Sequence, residues 1–192
     1  MESKINLKYS TILDKQLSQL TGVEFDWERR KRTRDFIVTF SEKYLGQLEK
    51  IYDRYCSIFN ANITDTIQIY FIPNFFGVKV PRGISDPCII CFESVKNNEI
   101  IPLEEERVFL TICHELAHII SCEPEISTDF FNKYKPLVKN HIVVYALMKL
   151  CFNEQLYLKE INNMSKFPAY KKASEVVEKI GAKEVINQIL KK

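Results

Sequence analysis

The sequence has no long hydrophobic run, no strong net charge and only three histidines among its 192 residues. Its longest apolar stretches, such as Ile142 to Met148, are far shorter than the roughly 20 residues that a membrane-spanning helix needs. The net charge of +2 is too small to indicate nucleic-acid binding by itself. Charged residues between Met1 and Gln16 interrupt the apolar core that a signal peptide requires, so we expect a cytoplasmic protein without membrane association.

Six cysteines are present, but their spacing indicates neither a zinc finger nor a disulfide framework. Cys88 and Cys91 form a C-x-x-C pair on a predicted strand, where side chains three positions apart point to opposite faces. No second pair with zinc-finger spacing accompanies them. We therefore expect structural, mostly buried thiols.

Hydrophobic residues make up 46% of the chain and charged residues 27%, a balance typical of globular proteins. The length favours one domain over residues 1–192, and the spacing of apolar residues predicts an α+β fold. In order, the predicted elements are a short helix within 5–20, a long helix over Trp27–Phe59, strands over 66–72, 75–80 and 88–93, a helix through 111–121, a helix from about 138 to 159, and a C-terminal helix from Pro168 that Gly181 kinks or breaks. The three strands are expected to form a small, mostly antiparallel sheet.

Two of the three histidines belong to the pattern His114-Glu115-Leu116-Ala117-His118, which is H-E-x-x-H. Residues four apart on an α-helix share one face, so His114 and His118 can direct two imidazoles at one point. Two imidazole nitrogens, a third protein ligand and a water form the ligand set of a catalytic zinc site. Glu115 lies close enough to such a water to act as general base without binding the metal.

The residues around the motif predict a buried helix. Pro102 suits a first helical position, and Glu104 to Glu106 place negative charge in the first turn, where it complements the helix dipole. Most positions from Val108 to Ile120 are apolar. Because polar groups are costly to bury without a partner, a metal explains why this helix carries His, Glu and His. The alternative is that both histidines are ordinary core or surface residues.

The third metal ligand is predicted to be His141, the remaining histidine. It begins an apolar stretch that should pack against the motif helix, whereas Glu154 lies where the pattern becomes polar and solvated. Asp129, Glu123 and Glu125 are the other carboxylate candidates. Alternatively, His141 only packs against or caps the start of its helix.

Tyr145 lies four residues after His141 and should therefore share its helix face. Its hydroxyl could stabilise the oxyanion that forms when water attacks a carbonyl. A core tyrosine with its hydroxyl bonded to backbone is the competing interpretation.

A basic cluster from Arg29 to Arg34 is the strongest concentration of one charge sign, and Glu24, Asp26, Glu28 and Asp35 flank it. Interleaved signs on a helix usually mean a solvated face, which is the role we expect here in preference to a nucleic-acid partner. A patch that binds nucleic acid is the alternative.

The motif and its setting resemble the zincin metallopeptidases, in the compact arrangement of minimal gluzincins. The resemblance covers roughly residues 66–159, and its specific part is His114, Glu115 and His118. The longer metzincin signature fails at Ser121 and Pro124, and the thermolysin-like signature is only half present. The resemblance implies zinc bound by the two histidines, water activation by the glutamate, and a peptide lying along an edge strand, which would be 88–93.

The sequence therefore predicts a zinc metallopeptidase that cleaves peptide bonds, with Glu115 as general base. A zincin-fold binding or regulatory module with little turnover is the main alternative. Hydrolysis of another amide or an ester is also compatible, because the motif specifies activated water and not the substrate. The oligomeric state and the substrate are not predicted.

Overall fold

A computed structural model of the chain describes residues 3–21, 25–61, 65–73, 83–96, 99–122 and 129–190. Seven α-helices, one short 3-10 helix and six strands lie in these segments, so the α+β class is confirmed. In chain order they are β1 (Ile5–Tyr9), α1 (Thr11–Thr21), α2 (Trp27–Phe59), β2 (Ile67–Ile72), β3 (Gly83–Ser85), β4 (Cys88–Cys91), β5 (Glu93–Lys96), β6 (Glu99–Pro102), α3 (Glu105–Cys122), a short 3-10 helix (Asp129–Phe131), α4 (Pro136–Cys151), α5 (Glu154–Met164), α6 (Pro168–Ile180) and α7 (Ala182–Leu190). The predicted strand over 75–80 lies outside the described residues.

The chain divides into two compact units. The first comprises Met1–Lys50 and Thr64–Glu115, and the second comprises Ile51–Ile63 and Leu116–Lys192. Helices α2 and α3 each contribute residues to both units. The prediction of one domain over residues 1–192 stays a prediction.

The main sheet belongs to the first unit and has the strand order β1-β2-β4-β3. Strand β2 pairs in parallel with β1 on one side and with β4 on the other, and only β3 and β4 are antiparallel. The prediction of a mostly antiparallel sheet is therefore wrong. For the β1–β2 pair, the reason is that Ile5–Tyr9 forms a strand instead of the start of a helix, and the chain passes through α1 and α2 before β2. Such a long helical crossover joins parallel neighbours.

The segment 88–93 was predicted to be an edge strand, and this prediction is also wrong. Strand β4 lies between β2 and β3, with Ile89 opposite both Tyr70 and Ile84. Glu93 already belongs to β5, which forms a separate antiparallel pair with β6. Among the described strands, β1 and β3 are the edges of the main sheet.

Aromatic side chains of α2 pack against β2, against Phe92 after β4 and against α3. The Phe36 ring stacks on Phe92 with centroids 4.4 Å apart, and the Phe40 ring lies 5.6 Å from that of Phe71. The Tyr44 ring stacks on Phe109 of α3 at 5.1 Å. These contacts fix the first half of α3 in the core of the first unit.

The basic cluster is only partly a solvated face. Arg29 is buried and donates to Asp14 Oδ1 through Nε at 2.9 Å and Nη2 at 2.8 Å. The prediction of solvation is wrong at this residue, because the buried Asp14 carboxylate of α1 needs a cation close by. Lys31, by contrast, forms an exposed pair with Asp35.

In the second unit, α4 is the central helix, and α5, α6 and α7 pack against it. Arg54 holds its C-terminal end by donating to the carbonyls of Cys151 at 2.8 Å and Leu150 at 3.1 Å. The helix predicted over about 138–159 is two helices, because Asn153 caps a new start by accepting from the Leu156 N–H at 2.9 Å. Gly181, with φ of 90°, separates α6 from α7, which confirms the break there.

All six cysteines lie in described segments, where none forms a disulfide, and four of them are buried, which agrees with the prediction of mostly buried thiols. Within the part of the chain that the structure describes, no helix combines the length and apolarity needed to cross a membrane.

Candidate metal centre

Helix α3 carries the H-E-x-x-H pattern, as predicted. It begins at Glu105 and not at Pro102, which ends β6, because β5 and β6 pair up to that residue. Glu105 and Glu106 still occupy its first turn. Val108, Ile112, Leu116 and Ile120 are completely buried, so their spacing of four residues defines the face that fixes the helix in the core.

The three histidines come together. The potential ligand atoms of His114, His118 and His141 all lie within 4.8 Å of one another, and the first and last of these residues are buried. The His118 and His141 rings meet edge to face, with centroids 4.8 Å apart. This arrangement could bind a metal ion. The role of His141 as the third ligand stays a prediction.

The hydrogen bonding of His141 fits a metal ligand. Its Nδ1 lies 2.7 Å from the carbonyl oxygen of Leu137, one turn earlier in α4. Because a carbonyl oxygen only accepts, Nδ1 carries the proton, and the neutral ring has its lone pair on the buried Nε2. Metal-binding histidines usually donate their other ring N–H to a carbonyl or carboxylate in this way.

The chemistry of the donor set also fits. Three imidazoles are the protein ligands of several catalytic zinc sites. Imidazole equally suits copper, iron and nickel, so the residues indicate a transition metal and do not identify zinc.

Two of the carboxylate candidates lie outside the described residues, namely Glu123 and Glu125, and the Asp129 side chain is not described either. Glu154 is exposed at the first position of α5. Among the described residues, the group able to hold a metal consists of histidines alone.

Glu115 follows His114 in α3 and is 8% exposed. Its carboxylate lies on the side of β3 and β4. Burial raises the pKa of the Cys88 thiol there, and the negative charge of Glu115 raises it further. The predicted general base is therefore held within the first unit, next to one of the histidines in the sequence. Its catalytic role stays a prediction.

Tyr145 lies one turn after His141 in α4, with ring centroids 6.2 Å apart, as the spacing predicted. Burial is the main cause that raises the pKa of Tyr145, and the Glu160 carboxylate adds to it. The hydroxyl therefore stays protonated at neutral pH. Its role as an oxyanion donor stays a prediction.

Two neighbouring residues were missed by sequence reasoning. The half-buried Tyr170 ring of α6 lies 3.9 Å from the His141 ring, centroid to centroid, closer than that of Tyr145. Glu160 of α5 is a buried carboxylate near Tyr145. Helical spacing could not have indicated either residue, because Glu160 is on α5 and Tyr170 is on α6. Both come near α4 only through the packing of these helices on it.

Comparisons of the chain with protein-family models, with curated proteins and with solved structures found no match. The zincin-like fold therefore stays a prediction that rests on the H-E-x-x-H pattern. The histidine cluster supports a metal centre independently of that resemblance.

Proposed function

We propose that this protein is a zinc-dependent hydrolase of the metallopeptidase type, in which His114, His118 and His141 hold the metal and Glu115 is the general base. The convergence of the three ligand atoms within 4.8 Å carries the proposal. Structural zinc sites usually have four protein ligands, whereas catalytic sites have three and leave a position for water or substrate. Three histidines among the described residues favour the catalytic class.

A zinc ion bound there would supply Lewis acidity, which polarises a carbonyl oxygen and makes water nucleophilic near neutral pH. Glu115 accepts the proton of the attacking water as the new carbon–oxygen bond forms. It then delivers that proton to the leaving nitrogen as the carbon–nitrogen bond breaks. Tyr145 donates a hydrogen bond to the developing oxyanion, and Tyr170 is a second candidate for this task because it contacts the same histidine ring.

The position of β3 supports a peptide as the substrate. This strand is a described edge of the main sheet, and its Gly83 lies directly beside the Glu115 side chain. Extended peptides add to exposed sheet edges through main-chain hydrogen bonds. The proposed peptide therefore runs along β3 instead of the segment 88–93.

The Glu115→Gln variant tests this function. Zinc-loaded wild-type protein is expected to cleave members of a mixed peptide library, as read by mass spectrometry of the products. Glu115→Gln should keep its zinc content and its circular dichroism spectrum but lose roughly 100-fold or more of the rate, the usual effect of removing a general base. Glu154→Gln, which changes an exposed glutamate of α5, is the matched control and should cleave normally.

Two results would contradict the proposal in different ways. Equal cleavage by Glu115→Gln and wild type would remove Glu115 from the role of base. Zinc-loaded wild-type protein that cleaves no peptide in the library would exclude the peptidase and favour a binding module with little turnover.

A further inference from the structure

Gly83 lies where the structure has no room for a side chain. A Cβ atom built on it would lie 2.8 Å from both Cγ and Oε1 of Glu115, and 3.0 Å from Cγ2 of Thr111. Carbon atoms in contact normally stay about 3.5–4.0 Å apart. The surface of β3 at this position is therefore bare backbone, and the Glu115 side chain occupies the space that a Cβ would need.

This glycine is required for space and not for its backbone conformation. Gly181 is the glycine with positive φ among the described residues, and Gly83 has no such angle. Its strand position is ordinary, since it pairs with Ile90 in the antiparallel register of β3 and β4. A glycine inside a strand often marks a close approach by another group.

The backbone at Gly83 is more firmly held than the side chain that faces it. Strand β4, its partner, is paired on its other side with β2 in the middle of the sheet. Glu115 can move by rotating about its own side-chain bonds, whereas β3 can retreat only by giving up its pairing. An added methyl group at position 83 would therefore displace the Glu115 carboxylate first.

We propose that Gly83 is a positioning residue that sets the location of the Glu115 carboxylate through close contact with β3. The catalytic consequence rests on the proposed function, whereas the contact itself does not. Any larger residue at position 83 moves the base away from its working position and leaves the three histidine ligands in place.

The first experiment compares Gly83→Ala with Gly46→Ala, whose added Cβ meets nothing within 4 Å on α2. Gly83→Ala is expected to bind as much zinc as wild type but to lose roughly 100-fold in kcat, the usual cost of misplacing a reacting group by about 1 Å. KM should change little, and Gly46→Ala should leave both constants unchanged. Wild-type kcat in zinc-loaded Gly83→Ala would overturn the proposal.

The second experiment needs neither metal nor substrate. Urea denaturation of the metal-free protein gives the midpoints of wild type, Gly83→Ala, Glu115→Ala and the double variant. Residues in contact show non-additive effects in such a cycle. Gly83→Ala is expected to lower the midpoint in the wild-type background and to lower it much less once the Glu115 side chain has been truncated.

The outcomes separate this inference from the proposed function. An equal drop of the midpoint in both backgrounds refutes the contact, even if the protein is a peptidase. A reduced drop supports it, even if no substrate is ever cleaved. Should Gly83→Ala fail to fold, the double variant is expected to fold, and its failure would equally refute the proposal.

Discussion

Removing the Asp14 carboxylate tests the buried ion pair between α1 and α2. Asp14 is 0% and Arg29 is 4% exposed, and Asp14 also accepts a hydrogen bond from the Tyr9 hydroxyl at 3.0 Å. Asp14→Ala leaves the guanidinium charge of Arg29 in the interior without this carboxylate. Breaking a buried pair on one side costs about 3–5 kcal/mol, a large share of the roughly 5–15 kcal/mol that stabilises a typical protein.

Urea denaturation measures this loss as a drop in the free energy of unfolding at constant m-value. The matched control is Lys31→Ala, because Lys31 and Asp35 form a pair at 2.7 Å with both side chains more than half exposed. Exposed pairs contribute little, so the control should be indistinguishable from wild type. The double variant Asp14→Leu/Arg29→Met should regain most of the loss, since apolar replacements of buried pairs are often neutral.

Anchoring of α1 to α2 by this pair is refuted if Asp14→Ala costs less than about 1 kcal/mol, well below the range for breaking a buried ion pair. It is also refuted if the double variant is no more stable than Asp14→Ala. Either result would mean that the pair does not anchor α1 to α2.

Three further changes test other contacts. Burial and the nearby Asp14 raise the pKa of Tyr9 from 10.0 to about 12, so its contribution to stability is complete below pH 10 and is lost as the pH rises through about 12. Between pH 10 and 12, the urea midpoint of Tyr9→Phe should therefore fall less with rising pH than the midpoint of wild type. Asn153→Ala removes the N-cap of α5 and should lower the free energy of unfolding by about 1 kcal/mol. Gly181→Ala places a side chain at φ of 90° and should cost about 1–3 kcal/mol; thermal denaturation measures both.

The local parts of the site were predictable from the sequence. His114 and His118 are four residues apart, and helix geometry alone brings them to one face. His141 could be predicted as the third ligand because the sequence has only three histidines and the other two belong to the pattern. Tyr170 was not predictable, since its contact with His141 depends on how α6 packs against α4.

The sheet was harder to predict than the helices. Ile5, Leu7 and Tyr9 alternate with polar residues over only five positions, which is too short to distinguish a strand from a helix start. Pairing with β2 makes this segment a strand, and the paired residues are far apart in the chain. The missing β1 explains why its parallel pairing with β2 was not foreseen. Strand β4 was placed at an edge because β3, which pairs with its other side, was not predicted either.

The break between α4 and α5 depends on a capping residue that the apolar spacing does not reveal. Apolar residues resume at Leu156 after three polar positions, a spacing that one amphipathic helix also allows, but Asn153 caps a helix start and Phe152 is extended. An asparagine that can cap is common at helix N-termini. By accepting a hydrogen bond from the Leu156 N–H, Asn153 starts a new helix where the apolar spacing alone predicted one helix.

Metal analysis of the purified protein shows whether the three histidines hold an ion together. Elemental analysis of wild type and His141→Ala, with circular dichroism as the control for folding, measures whether three imidazoles share one ion. We predict about one transition-metal ion per wild-type chain, as for a three-histidine site, and a clear loss of metal from His141→Ala. Equal metal content in the two proteins, or no metal affinity in wild type, would mean that His114, His118 and His141 do not share a metal ion.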